Sequence, residues 1–364
     1  MRPRKWGATQ ATASEVQNRY PLPIGYGHTP SSYVLTSTDL TALEICAGAG
    51  GQALGIEMAG WQHTAVCEID APACDTLRLN RPRWNVVQRD VRELRGADYR
   101  GIDLLAGGVP CPPFSIAGKR LGPDDERDLF PTALRLVREA KPAAVLLENV
   151  PGFATMKFSD YRAALIADLT RSGYTVVWHV LNACNFGVPQ LRPRFILVAI
   201  RGKAATRFVW PQPAHAPPTV GEILIDLMAS RGWTGATTWA AHAHGIAPTL
   251  VGGSKRHGGP DLGPTRARVA WRELRVEARS LADAPPDSTF TIEGLPRLTT
   301  RMAARIQGFP DNWTFSGKKT AAYRQIGNAF PPPVAHAVAA AIRTAMMGAQ
   351  RGANTEPEPA AHHA

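Results

Sequence analysis

Between residues 41 and 200, short apolar runs of strand length alternate with segments of helical periodicity, and this rhythm limits the fold more than any other feature of the sequence. The apolar runs fall at 41–46, 64–68, 86–89, 102–106, 143–148, 175–181 and 194–200, with helical patterns at 51–59, 71–80, 130–140 and 159–172. Alternation of this kind predicts an α/β fold, a doubly wound and mainly parallel sheet with helices on both faces. Beyond about residue 202 the rhythm breaks. Residues 203–296 carry many Pro, Gly and Trp positions with only short regular pieces, which predicts a second, smaller and irregular domain. A helical pattern resumes at 299–306. Another at 334–346 is apolar enough to return to the sheet, which would make the first domain discontinuous.

The expected organisation is a loosely ordered segment at 1–38, a first domain at 39–202 plus 322–347, a second at 203–321 and a disordered tail at 348–364. A length of 364 residues suits about two domains. Lys plus Arg (41) exceed Asp plus Glu (30) by 11, so a polyanion is the first partner to consider. Arg outnumbers Lys 33 to 8, and a compositional bias would give the same excess without any phosphate contact. Five cysteines, with no CxxC pair and no His cluster at zinc spacing, argue for a reducing compartment and against a structural metal. Without a signal-like or membrane-spanning apolar run, a cytoplasmic location and no membrane partner are expected.

The first strand runs into Cys46-Ala47-Gly48-Ala49-Gly50-Gly51, a glycine-rich turn at the carboxyl end of a strand, where open α/β sheets bind ligands. Taken alone, such a turn serves equally well as a mere turn. The second strand ends in Glu68-Ile69-Asp70, an acid placed to bond ribose hydroxyls, and the third ends at Asp90-Val91. A glycine turn and two acids at successive strand ends suit a nucleoside-bearing cofactor with no phosphate to cradle. That favours S-adenosyl-L-methionine over a nicotinamide dinucleotide.

After the fourth strand comes Gly107-Gly108-Val109-Pro110-Cys111-Pro112-Pro113-Phe114-Ser115, in which three of the four residues flanking Cys111 are proline. Proline fixes φ and restricts the residue before it, so the thiol sits on a stiff loop beside the glycine turn, where a nucleophile belongs. Cys46, Cys67, Cys74 and Cys184 read as small buried hydrophobes. The segment 115–127 is polar and broken by Gly and Pro, as a mobile lid would be. The fifth strand ends in Glu148-Asn149-Val150, where burial should raise the carboxyl pKa; a capping or ion-pairing role is the plainer alternative. Arg192 and Arg194 in Pro189-Gln190-Leu191-Arg192-Pro193-Arg194 fall on one face of an extended segment.

Taken in order, these motifs resemble those of the DNA cytosine-5 methyltransferases, with Arg297-Leu298-Thr299, Gln307-Gly308-Phe309-Pro310-Asp311 and Gln325-Ile326-Gly327-Asn328-Ala329 completing the series; the match runs over residues 41–342. The resemblance implies a Rossmann-like methyltransferase sheet, S-adenosyl-L-methionine as methyl donor and a cytosine of double-stranded DNA as acceptor. It implies a cofactor shell of Cys46, Ala47, Gly48, Ala49, Gly51, Glu68, Ile69, Asp90, Val91, Pro110 and Asn328. Cys111 becomes the nucleophile, with Glu148, Arg192 and Arg194 supporting it. Residues 203–321 become the target-recognition domain, in which Lys255, Arg256, Arg266 and Arg268 suit phosphate and guanine contacts. Arginines after Ala270 have Glu273 and Glu277 as local partners.

Glu44 and Cys46 stand where the family usually has Asp and Phe, Pro112 where Gln is commonest and Ala329 where Ser is frequent. The expected activity is sequence-specific cytosine-5 methylation by a monomer, protecting host DNA alongside a possible cognate restriction endonuclease. Three alternatives compete: a tRNA-methylating enzyme on the same scaffold, a catalytically silent DNA-binding regulator, and a nicotinamide-dependent reductase. The long variable region without a Cys-Phe-Thr sequence weighs against the first, and the presence of both Cys111 and Glu148 against the second.

Overall fold

A computed structural model describes residues 40–110, 128–213, 216–253 and 259–353. The sheet contains β1 (Thr41–Ile45), β2 (Gln62–Glu68), β3 (Val86–Gln88), β4 (Leu104–Gly108), β5 (Ala144–Asn149), β6 (Tyr174–Asn182) and β8 (Pro193–Arg201), in the order β3-β2-β1-β4-β5-β8-β6. A two-residue strand, β7 (Gln190–Leu191), lies outside it. The first five strands run parallel, joined by crossovers that include α1 (Gly51–Met58), α2 (Ala71–Asn80) and α3 (Phe130–Ala140). A further helix, α4 (Ser159–Arg171), leads into β6. Strand β8 is antiparallel to both neighbours, with Asn182 opposite Pro193. The link between β6 and β8 is shorter than a parallel crossover requires, so the chain turns straight back.

Side chains alternate across this sheet with period two. Ala42, Leu104, Ala106, Ala144, Leu146, Ile196 and Val198 enter one core, while Leu43, Ile45, Leu105, Val145, Leu147, Phe195 and Leu197 enter the other. Each fully buried Leu or Ile contributes about 1.5–3 kcal/mol relative to exposure. Helices α3 and α4 cover the second face through Ala133, Leu136, Val137, Leu165 and Leu169. The C-terminal helix α10 (Pro332–Ala353) covers the first, its Val334, Ala335, Val338, Ala339 and Ile342 sharing a core with Ile56 of α1. This helix continues to Ala353, past residue 348 where the sequence suggests a disordered tail. A single glycine in a helix costs only about 1 kcal/mol against Ala, and the turn before Gly348 is anchored by buried Met346.

After the sheet, the chain is more regular than its composition suggests. Helices α5 (Val220–Ala229), α6 (Ala236–His242), α7 (Thr265–Glu273), α8 (Thr300–Ile306) and α9 (Lys319–Asn328) form, and β9 (Ala247–Pro248) pairs with β7. Thr219 and Glu222 make a capping box that starts α5. Leu224, Met228, Trp233, Trp239, Trp271, Met302, Ile306 and Trp313 share one buried cluster, which Leu54 of α1 also enters. No described helix is long and apolar enough to cross a membrane.

The strand order places a topological switch between β1 and β4. From their carboxyl ends the chain departs in opposite directions, leaving the crevice in which such sheets bind ligands.

Candidate active site

The turn after β1 needs unusual backbone. Cys46, Gly48 and Gly50 have φ of 52°, 55° and 83°. For a residue with a Cβ this region costs on the order of 1–2 kcal/mol, so the strain sits at Cys46. A Cβ on Gly48 would meet nothing within 4 Å, because that side of the turn is open. The Gly48 amide donates to Glu68 Oε2 at 2.7 Å, and the amides of Ile69 and Asp70 donate to Glu68 Oε1, each at 2.8 Å. The acid that ends the second strand therefore fastens the glycine turn to its own strand end. A carboxylate accepts about four hydrogen bonds, so Glu68 keeps capacity for one more donor.

At the end of the third strand, Asp90 accepts from the Arg92 backbone amide (2.9 Å) and pairs with its guanidinium (2.6 Å). These bonds hold the Asp90 carboxyl below its ordinary pKa. Ile69 is 63% exposed, offering an apolar face over the crevice.

Cys46, Ala47, Gly48, Ala49, Glu68, Ile69, Asp90, Val91, Pro110 and Asn328 line one cavity of about 600 Å³, within the range of small-molecule sites. Gly51 does not line it. A Cβ there would lie 2.3 Å from the Phe330 carbonyl oxygen, so this glycine serves helix packing rather than cofactor approach. Sequence reasoning missed Gln52, Leu129, Arg324 and Phe330, which also line the cavity. Arg324 was accessible to it: Ala321, Arg324, Gln325 and Asn328 recur at helical spacing on one face of α9. The open Gly48, the remaining acceptor capacity of Glu68 and the exposed Ile69 suit a nucleoside.

Glu148 also borders this cavity, and a second one of about 880 Å³ adjoins it. The two share Gly108, Pro110, Glu148 and Asn328. Arg194 Nε lies 2.9 Å from Glu148 Oε1, and both side chains are nearly buried. Burial raises the Glu148 pKa, while Arg194 and then Arg192 oppose the shift. Asn149 Nδ2 donates to the Val109 carbonyl at 2.9 Å, tying the end of β5 to the loop before Pro110.

Arg192 does not share the setting of Arg194. It is fully buried, and its guanidinium donates to the carbonyls of Leu250 (2.7 Å), Gly327 (2.7 Å) and Ala329 (2.9 Å). It lines neither cavity. The proline between the two arginines starts β8, and the segment turns there from the short β7 pairing into the sheet.

Cys111, Lys255 and Arg256 lie outside the described residues, as does the lid expected at 115–127. Arg266 and Arg268 are exposed on α7 and line neither cavity; Arg268 Nε donates to the Gly263 carbonyl at 2.9 Å. Among the described cysteines, burial pushes Cys67 up to about 12 and Cys74 up to about 11. Cys46 and Cys184 are raised as well, by burial above all. None of the four is a thiolate at neutral pH.

A family model for C-5 cytosine-specific DNA methylases matches residues 40–344. The chain is 55% identical over 311 residues to the type II methyltransferase M.NaeI of Lentzea aerocolonigenes, covering 84% of this chain and 75% of that one. It is 53% identical over 309 residues to the type II methyltransferase M.NgoMIV of Neisseria gonorrhoeae, covering 84% and 98%. Among solved structures, a mutant form of Spodoptera frugiperda DNMT2 shares the fold with a TM-score of 0.59 at 18% identity, covering 84% of this chain and 99% of that one.

Proposed function

Since the chain belongs to the C-5 cytosine-specific DNA methylase family, we propose that it is a sequence-specific DNA methyltransferase that takes its methyl group from S-adenosyl-L-methionine and delivers it to C5 of a cytosine swung out of duplex DNA. One observation carries this reading. A cavity suited to a nucleoside adjoins a second cavity, Pro110, Glu148 and Asn328 lining both, and Pro110 immediately precedes Cys111.

Cys46, Ala47, Gly48, Ala49, Glu68, Ile69, Asp90, Val91, Pro110 and Asn328 would hold the cofactor. When bound, it supplies an electrophilic methyl group on a sulfonium sulfur. The flipped ring occupies the second cavity, since chemistry on a base requires it to leave the stack. Cytosine C5 is a weak nucleophile. Addition of the Cys111 thiolate to C6 makes C5 enamine-like, and a proton held by Glu148 at N3 eases that addition. Once C5 carries the methyl group, loss of its proton and cleavage of the Sγ–C6 bond restore the ring and free the thiol. Arg194 keeps Glu148 aimed and compensates its charge whenever the acid ionises.

Residues 203–321 would read the target, with Lys255, Arg256, Arg266 and Arg268 on the DNA, while 39–202 plus 322–347 form the catalytic domain. Relatives named as type II methyltransferases favour a protective role beside a cognate restriction endonuclease. A cytoplasmic monomer suffices, because one flipped base needs one site.

Bisulfite sequencing of DNA from a methylation-free host expressing the chain tests the proposal. The expected result is 5-methylcytosine at one position of one short recurring sequence. Unmethylated DNA from cells that contain the folded protein would contradict it.

A further inference from the structure

Arg192 sits at the centre of a knot of three fully buried polar side chains, Gln190, Arg192 and Gln307. Gln190 Nε2 donates to Gln307 Oε1 (2.8 Å) and to the Ile306 carbonyl (3.3 Å). Gln190 Oε1 accepts from the Leu250 amide (2.9 Å) and from Arg192 Nη1 (3.3 Å). Gln307 Nε2 donates to the Ala329 carbonyl at 2.5 Å. The two Nη atoms of Arg192 thus reach four acceptors, three of them main-chain carbonyls, and only Nε lacks one.

The carbonyls chosen are specific. Gly327 and Ala329 flank Asn328, where the two cavities join. Leu250 begins the stretch whose Gly253 carbonyl accepts from Asn328 Nδ2 at 3.1 Å. One guanidinium therefore fixes Asn328 from both sides, through its own backbone and through the loop that its amide grips. Carbonyls at the carboxyl end of α9 carry partial negative charge, so a buried cation is stabilised there. The loop fits without slack, since a Cβ on Gly252 would lie 2.4 Å from the Arg324 carbonyl oxygen and 2.7 Å from Asn328 Oδ1.

We propose that Arg192 is a positioning residue rather than a group that touches the base, and that it acts on the cofactor through Asn328 by holding that side chain at the junction of the two cavities. The inference rests on the cofactor reading given above. It assigns Arg192 a role separate from that of Arg194, which faces Glu148 directly.

The test is a double-mutant cycle on the binding of S-adenosylhomocysteine, the unreactive product, to the full chain by calorimetry. Lysine keeps the charge of Arg192 but cannot bridge several carbonyls in one plane. Arg192→Lys should weaken binding about tenfold, and Asn328→Ala by a similar factor. In the Asn328→Ala background Arg192→Lys should add no further loss, because residues acting through one another are not additive. Additive losses, or unchanged affinity in Arg192→Lys, would overturn the proposal. Should Arg192→Lys fail to fold, Gly252→Ala presses on Asn328 from the loop side and should show the same loss and the same non-additivity; its additivity would be equally fatal. If the wild-type chain does not bind the product at all, the cofactor reading itself falls, and the outcomes are distinguishable on that ground.

Discussion

Arg194 and Glu148 form an ion pair of 2.9 Å in which Glu148 lines both cavities and Arg194 the second, with side chains only 11% and 13% exposed. Burial nonetheless keeps the carboxyl pKa raised, the direction that the proposed proton donation to the ring requires. A group that acts while protonated is active below its folded pKa and loses activity as pH rises through it. The stability it contributes has the same sign, present at low pH and lost as pH rises through the raised value. Arg194 opposes the shift, so Arg194→Ala should move the alkaline limb of single-turnover methylation to higher pH while lowering the rate about a hundredfold. An alkaline limb that stays in place would show that Glu148 is not the titrating group.

Glu148→Gln separates donation from titration. The amide still offers an N–H to the ring but cannot lose a proton, so the rate should fall by roughly 10² to 10⁴ while the alkaline limb disappears. A pH profile of the same shape as wild type would speak against the assigned proton.

Two glycines, one in the turn after β1 and one at the start of α1, should respond differently to the same substitution. Gly51→Ala places a methyl group 2.3 Å from the Phe330 carbonyl oxygen and should cost about 1–3 kcal/mol in urea unfolding. Gly48→Ala meets no atom within 4 Å but sits at φ 55° in the lining of the first cavity. It should weaken product binding more than it weakens the fold. Equal effects of the two changes on binding would show that the turn behaves as one unit.

His63 provides a control remote from the chemistry. Its Nε2 contacts the Ala53 carbonyl oxygen at 2.9 Å, and burial, only partly offset by that bond, lowers its pKa from 6.5 to about 4. Below pH 6.5 the unfolded chain binds the proton first, so stability should fall as pH drops from 6.5 towards 4, by no more than about 3 kcal/mol. Unfolding of wild type and His63→Gln in urea at several pH values checks this. The variant should lose less over that interval.

The sheet was legible because each strand is an apolar run bounded by turns: Leu43 and Ile45 face one core, Ala42 the other, and that alternation is written in the residues themselves. The antiparallel placement of β8 was not, because it depends on where the chain travels between β6 and β8. The strand-end acids were legible by position. The bond from the Gly48 amide to Glu68 was not legible, since it requires two strands to be neighbours. Gly51 and Gly48 look alike in sequence, and only the position of Phe330, far along the chain, tells packing from access. Arg192 and Arg194 are separated by a single proline, yet one grips carbonyls and the other an acid. Their partners come from the loop after β9, the carboxyl end of α9 and β5, which no local pattern brings together.

Cys111 carries the central claim, and a duplex bearing 5-fluorocytosine at the methylated position tests it most directly. Fluorine cannot leave C5 as a proton does, so the Sγ–C6 bond should persist after methyl transfer. Mass spectrometry of the digested complex should find the modified pyrimidine on the peptide containing Cys111, only when S-adenosylmethionine is present, and never with Cys111→Ser. A methylated product without any adduct, or an adduct on Cys46, Cys67, Cys74 or Cys184, would contradict the account.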